Sequence, residues 1–428
     1  MQRQDDQPTR NMLEVDAARS IILAQCGAVP AQSVPLDAAL GRVLAEDVRA
    51  PLALPPFDNS AMDGYALKAG EAGLAAGTEL AVSGEQAAGD AAIAANGAAW
   101  EIMTGARMPE GFDTVLPVEQ ATVLQRDAQG RALRIRLDAD VHVDTHVRRA
   151  GEDIAAGELA AAAGSVLGSH ALTLLRGVGI AQLPVVRRPK LAILNTGREL
   201  VDDARPLASG EIHNTNGPFL HAQAQQAGAE VVLRETVSDD AALFTAALAR
   251  AEQAGAELIV TTGAVSMGRY DFIPDVLAAQ GAKVFFHKLK MRPGKPLLFA
   301  RLQSGVLLFG LPGNPVSSAV GWRFFVEPAL RRMLGMVDEQ PWRLPLAADV
   351  RKKPGMTFFH KARVACDGDG QVRVRSLPGQ ESFRIRPLAA ANAWLQLLPE
   401  AEALSAGTLV EVWPLSHFNP QAVMGTIE

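Results

Sequence analysis

Four Gly/Pro/Asn-rich loops hold the polar side chains most suited to chemistry in this chain. They are Asn195-Thr196-Gly197-Arg198-Glu199, Thr261-Thr262-Gly263-Ala264-Val265-Ser266-Met267-Gly268, Arg292-Pro293-Gly294-Lys295-Pro296 and Leu311-Pro312-Gly313-Asn314-Pro315-Val316-Ser317-Ser318. Each combines hydroxyls, amides or cations with small residues that let backbone approach a ligand closely. Three of them directly follow an apolar run that reads as a buried strand. Loops at the carboxyl ends of strands form the binding crevice of an open α/β sheet. The four together predict one composite site for an anionic, nucleotide-like ligand.

Taken singly, each loop leaves alternatives open. Asn314 can cap a helix with Pro315 at its first position, where no N–H is needed. The helix dipole and the hydroxyls of Ser317 and Ser318 would then favour an anion, but the same residues make an equally good structural cap. Asp271 could cap the helix that follows it or hold Mg²⁺, which takes oxygen ligands. Glu199 could bind a ribose hydroxyl, a metal or a salt-bridge partner. Arg292 and Lys295 sit on a stiff turn downstream of Lys288 and Lys290, without the Walker A spacing of a P-loop. Two further motifs lie earlier in the chain. Phe57-Asp58-Asn59-Ser60-Ala61-Met62-Asp63-Gly64-Tyr65-Ala66 is too polar for a core strand, and Arg148-Arg149-Ala150-Gly151-Glu152-Asp153-Ile154 sets paired cations beside paired carboxylates. As surface ion pairs these would contribute little stability.

Several domains are needed to position such loops, and 428 residues, 48% of them hydrophobic, can build them. Leu13, Ala17, Ile21, Ile22 and Cys26 predict an amphipathic helix over 12–26, followed by a short strand and a helical turn within 33–48. Residues 51–149 are turn-rich and alternating, a mostly β insertion domain. A helix near 169–177 lies in a segment expected to pack back on 12–50. Residues 1–50 and 150–186 then form one discontinuous helical and extended N-terminal domain. Arg187-Arg188-Pro189 leads into an α/β domain, 187–337. Its strands are expected at 190–194, 230–235, 257–261, 283–286, 297–302 and 306–309. Helices are expected at 216–227, from Ser238-Asp239-Asp240 to about 254, at 271–280 and at 315–334. That alternation predicts a mainly parallel sheet. Residues 338–428 read as a small C-terminal β-barrel.

The net charge of −6 argues against a general nucleic-acid binder. Cys26 and Cys366 lack metal or disulfide spacing and fit a reducing, cytoplasmic location. Neither an apolar signal core nor a membrane-spanning run of about 18 residues is visible.

Six segments, in order over nearly the whole chain, resemble the molybdopterin molybdenumtransferases (the MoeA type, like the E domain of gephyrin). They are 58–66, Met103-Thr104-Gly105-Ala106, 151–154, Thr196-Gly197-Arg198-Glu199-Leu200, Pro293-Gly294-Lys295-Pro296 and 311–317. The resemblance implies a four-part subunit that dimerises through its N-terminal domain, with a cleft shared between subunits. It also implies a reaction of adenylylated molybdopterin with molybdate, giving molybdenum cofactor and AMP with Mg²⁺. Because the substrate's dithiolene supplies the sulfur ligands, no cysteine cluster is required. The family's motif acids fall on Asp63, Asp153, Glu199, Asp240 and Asp271, which with Lys295 make the expected catalytic set. Asp63, Glu199, Asp240 and Asp271 are the expected metal ligands. Expected substrate contacts are Thr104, Arg148, Thr196, Gly197, Gly263, Ser266, Arg292, Gly294, Pro312, Gly313, Asn314, Ser317, Ser318 and Ser382. Implied protein partners are the upstream adenylyltransferase and downstream molybdoenzyme maturation proteins.

Departures from the family pattern bear on substrate fit. Ala264 stands where a second glycine is expected and would be strained at φ > 0. Arg269-Tyr270 makes the entrance bulkier, Arg292 replaces a common lysine with different donor geometry, and Arg384 and Arg386 add charge near Ser382. Two competing readings are the sister adenylyltransferase, which uses only the α/β domain, and a non-catalytic carrier or scaffold on the same fold.

Overall fold

The computed structural model describes residues 12–265, 272–416 and 425–426. Helix α1 (Val15–Gln25) buries the stripe Val15, Ala18 and Ile22. That stripe joins the core of the α/β region, with Leu220, Phe325 and Leu330. Residues further on do pack as the sequence pattern predicts. Ala31–Pro35 pairs antiparallel with Gln182–Val186, and Val48–Arg49 with Leu159–Ala161, around Val34, Leu44, Leu175 and Leu183.

The insertion forms a six-stranded sheet in the order Thr114–Pro117, Gly64–Leu67, Ala99–Ile102, Glu79–Gln86, Ala132–Leu137, Ala121–Arg126. A Cβ at Gly64 would lie 2.0 Å from the Leu116 carbonyl oxygen. Only glycine therefore lets this strand start immediately after Asp63.

In the α/β region, β1 (Lys190–Thr196), β2 (Glu230–Val237), β3 (Leu258–Thr262), β4 (Lys283–Phe286), β5 (Met291–Arg292), β6 (Leu298–Arg301) and β7 (Leu307–Leu311) alternate with α2 (Asn216–Gln226), α3 (Ala241–Gln253) and α4 (Ile273–Ala279). The sheet order is β2-β1-β3-β7-β6-β4. Its first four strands are parallel, and β6 and β4 complete it antiparallel. Covered on both faces, strands β3 and β7 are buried along their whole length, so β7 reads as an unbroken apolar run and β3 as one up to Thr261. Arg187 makes a two-pronged pair with Glu257, at 2.9 and 3.0 Å, and fixes the entry into this domain.

The single helix expected over 315–334 is three segments: α5 (Pro315–Gly321), a π-helical turn (Trp322–Val326) and α6 (Glu327–Met333). Pro328 is the physical reason. It has no N–H to offer the Phe324 carbonyl one turn back, and that oxygen instead accepts Nε of Arg19 on α1 at 3.2 Å. Arg323, almost fully buried in the π turn, donates to the Pro414 carbonyl and to both oxygens of Glu339. These bonds bind the helix to the C-terminal region.

There, β8 (Trp342–Pro345), β9 (Thr357–Cys366), β10 (Val372–Ser376), β11 (Ala393–Leu397) and β12 (Leu409–Pro414) order as β10-β9-β11-β12-β8. A bridge between Leu346 and Val374 closes the sheet on itself. Unexpectedly, β5 belongs to this sheet: Met291 and Arg292 pair in parallel with Thr357 and Phe358.

Candidate functional site: a cleft between the α/β and C-terminal regions

Because β5 crosses into the barrel, the Arg292–Pro296 turn faces the barrel wall across a cleft of about 1000 Å³. Arg292, Gly294, Lys295, Pro312, Asn314 and Ser317 line one side, and Ser382 lines the other. The structure thus gathers seven of the expected site residues in one place. Arg292 and Lys295 are exposed. Among the described residues neither forms a salt bridge, whereas nearby Lys290 is taken by Glu14 at 2.5 Å.

The helix cap differs from expectation. Asn314 occupies the cap position, but its side chain makes no capping bond. The Val316 N–H is filled by the Ser382 carbonyl at 3.0 Å. Ser318 is fully buried and donates its hydroxyl to the Pro312 carbonyl at 2.5 Å. It therefore braces the loop and is not open to an anion. The positive charge of the cleft comes from the side chains of Arg292, Lys295 and Arg351, which also lines it, since the Val316 N–H at the helix N-terminus already has a protein partner.

A second stitched layer holds the loops at the sheet edge. Thr196 is buried and its hydroxyl donates to the Thr262 carbonyl at 3.1 Å, which again makes it scaffold and not a free substrate contact. Asn195 donates to Thr262 Oγ1 at 2.6 Å, and Asn216 donates to the Gly313 carbonyl at 2.8 Å. The Gly263 N–H donates to the Leu311 carbonyl at 3.1 Å. A Cβ at Gly263 would lie 2.6 Å from the Thr196 carbonyl oxygen, so glycine is required there. Ala264 does adopt φ 49°, the strained conformation anticipated from its side chain. The expected residues Ser266 and Asp271 lie outside the described residues.

Glu199 and Asp240 stand on adjacent loops, after the parallel neighbours β1 and β2. The Gly197 N–H donates to the Val237 carbonyl at 3.1 Å and draws those loops together. Glu199 is exposed; Asp240 caps α3, accepting the Leu243 N–H at 2.9 Å through one oxygen. Among the described residues no three His, Cys, Asp or Glu side chains form a metal-holding group. The three described members of the expected metal set, Asp63, Glu199 and Asp240, are therefore not brought together as one cluster. A pair of acids nevertheless suits Mg²⁺, which usually takes one or two carboxylates plus substrate phosphates.

Asp63 belongs to the insertion. Its Oδ1 accepts the Thr104 N–H at 2.6 Å and the Thr104 hydroxyl at 2.9 Å. Those two bonds, the amide first, hold its carboxyl below the usual range and keep it ionised. Arg148 lies opposite Asn59 in a two-residue strand pair, exposed, and Asp153 is exposed after the Gly151 turn. The ion pairs of this corner are made by Arg149 instead, to Asp58 at 2.5 Å and to Asp144. Burial works against ionisation of Asp58, but the Ala150 N–H and Arg149 outweigh it and hold its pKa down.

Lys361 escaped sequence reasoning. On β9 it is fully buried, and its Nζ donates to the carbonyls of Gly379, Glu381 and Arg384 at 2.7, 3.2 and 3.3 Å. Gln380 clamps the same loop, exchanging two 2.9 Å bonds with the Lys361 backbone. The available signal was its inward phase on an alternating strand, with Thr357 and Phe359. Beside it, His360 lines the cleft and is pushed down to about 4, by burial first and then by Lys361 and Lys352.

The family models match in three consecutive pieces. Residues 13–179 match the MoeA N-terminal region (domain I and II), 192–332 a probable molybdopterin binding domain, and 343–415 the MoeA C-terminal region (domain IV). The chain belongs to the MoeA family. It is 38% identical over 411 residues to a molybdopterin molybdenumtransferase of Synechococcus elongatus, covering 94% of this chain and 99% of that protein. Its identity to the Haemophilus influenzae protein of the same name is 34%, covering 95% and 99%. A crystal structure of a molybdopterin biosynthesis MoeA protein from Pyrococcus horikoshii superposes with a TM-score of 0.78 at 26% identity, covering 95% of this chain and all of that one. No helix among the described residues is long and apolar enough to cross a membrane.

Proposed function

We propose that this chain is a molybdopterin molybdenumtransferase that joins molybdate to adenylylated molybdopterin, yielding molybdenum cofactor and AMP. Family membership supports the transferase class. The observation that carries the site assignment is the pair of cations, Arg292 and Lys295, which lack a carboxylate partner among the described residues in a cleft large enough for a nucleotide-sized ligand. Both substrates are anions, and fixed cations stabilise charge that develops on a leaving phosphate without reorganising. Ser317 and Ser382 add donors on opposite walls. Glu199 and Asp240 are the acids we assign to Mg²⁺, which when bound would neutralise phosphate charge.

Asp63 and Asp153, with Thr104 and Arg148, form a separate corner whose described hydrogen bonds stay within the insertion and the return strand. We assign them to a site completed in a homodimer, acting in the cytoplasm between an upstream adenylyltransferase and downstream maturation proteins. The test is AMP release from adenylylated molybdopterin with Mg²⁺, with and without molybdate. Molybdate-dependent release with active cofactor is the expected result. Tight binding without release would replace it with a carrier or scaffold role. Asp240→Asn should keep the helix cap, since asparagine caps as well as aspartate, yet weaken the Mg²⁺ dependence; an unchanged Mg²⁺ requirement would remove Asp240 from the metal assignment.

A further inference from the structure

The barrel wall of the cleft adds aromatic rings to a further cation, Arg351, across from Arg292 and Lys295. Phe383 is 62% exposed and lines the cleft, and Phe358 belongs to the same lining. An exposed phenyl is ordinary on a loose loop. This loop is not loose. Lys361 holds three of its carbonyls, Gln380 clamps its start, and the Ser382 carbonyl, next to Phe383, accepts the Val316 N–H. Arg384 packs over the Phe383 ring with its guanidinium carbon 5.6 Å from the centroid, while most of the ring stays open. Phe358 meets His360 edge-on, at 6.0 Å and 74°, and Lys352 Nζ lies over one side of its ring, 5.3 Å from the centroid. Strand pairing sets Phe358 opposite Arg292 in register.

An oxyanion alone would not need this arrangement. Aromatic faces held rigidly beside fixed cations fit a ligand with a flat heteroaromatic ring at one end and anionic groups at the other. We propose that Phe383, with Phe358, is a stacking platform for the pterin ring of the substrate, and that Phe383 determines specificity for it. This rests on the transferase activity proposed above for the same site. It adds the orientation: ring toward the barrel, anionic end toward Arg292 and Lys295.

Phe383→Ala, Phe383→Leu and Phe383→Trp in the full chain test this. Single-turnover AMP release gives half-saturation separately for adenylylated molybdopterin and for molybdate. Phe383→Ala should raise the former about tenfold and leave the latter unchanged. Phe383→Trp should restore it, and Phe383→Leu, apolar but without a π face, should not. Quenching of the fluorescence of free pterin by the wild-type chain and by Phe383→Ala supplies a readout that needs no turnover. Wild-type half-saturation in all three variants, or full rescue by leucine, overturns the platform while leaving the transferase intact. Conversely, Phe383-dependent pterin quenching in a chain that releases no AMP would leave the platform standing and remove the activity. Since Phe383 is exposed, its replacement should not unfold the chain, and a urea midpoint equal to wild type checks this.

Discussion

In the cleft, Arg292 and Lys295 stand without a carboxylate partner among the described residues; in the corner of the insertion, Arg149 and Asp63 are both engaged by protein groups, while Arg148 and Asp153 form no salt bridge among the described residues. Arg149 is paired with Asp58 and Asp144, and Asp63 takes two bonds from Thr104. The two regions hold charge for different purposes. Paired charges at a surface contribute little stability but fix geometry, so the corner presents Asp63 in a set orientation. Unpaired cations on a stiff turn keep their field for something outside the protein. Arg292 and Lys295 therefore have no counter-charge among the described residues until a ligand arrives, whereas Arg149 in the corner already has its own.

The strongest way to break this contrast is to discharge the cleft. Lys295→Ala should lower single-turnover AMP release about 10²–10³-fold, and Arg292→Ala similarly, with Arg292→Lys much milder. Equal loss from Arg149→Ala would erase the distinction between the regions. Next comes Lys361→Met. It leaves three carbonyls without their buried donor, and unfolding in urea should show a loss of about 3 kcal/mol. A loss below about 0.5 kcal/mol would mean that water replaces the ammonium.

Thr104→Val sharpens the other side. It keeps the amide bond to Asp63 and removes the hydroxyl bond, so the carboxyl pKa should rise. Ionised Asp63 would then be lost at higher pH, and the acid limb of the pH–rate profile should move upward; an unmoved limb would separate Asp63 from that limb. His360 gives a pH signature in stability. Its folded value of about 4 lies below the ordinary 6.5. Between these, the unfolded chain binds a proton that the folded chain does not, so stability is full above pH 6.5 and falls as pH drops toward 4. His360→Gln should flatten that part of the urea-midpoint curve. The smallest effect is expected from Ala264→Gly. Relief of the φ 49° strain is offset by greater freedom of the unfolded chain, and stability should stay within about 1 kcal/mol of wild type.

Much of this was legible in the chain. Strand β7 is apolar throughout and β3 is apolar up to Thr261, the Ser238-Asp239-Asp240 cap signal is realised at Asp240, and two cations on a Pro/Gly turn announced the cleft wall. Ser382 came only through the resemblance. Thr196 and Ser318, expected through the resemblance to meet substrate, both donate their hydroxyls to backbone carbonyls, and the sequence could not show this because a hydroxyl in a Gly-rich loop looks the same whether it faces a ligand or its own backbone. Nor could the sequence separate Arg148 from Arg149, since which of two neighbours reaches Asp58 depends on the pairing of Val147–Arg148 with Asn59–Ser60.

Residue types and their periodicity are properties of short stretches, and they sufficed for the alternation of strands and helices, for the caps and turns, and for the sign of the charge at each loop. Partnership is a property of distant stretches brought together. Arg19 reaches a carbonyl freed by Pro328, β5 leaves its own domain to pair with β9, and Lys361 satisfies a loop beginning 18 residues further on. Burial removes water as an alternative partner, so each of these groups must find another within the protein. Only the packed chain decides which one it finds, and therefore which charges remain free for a ligand.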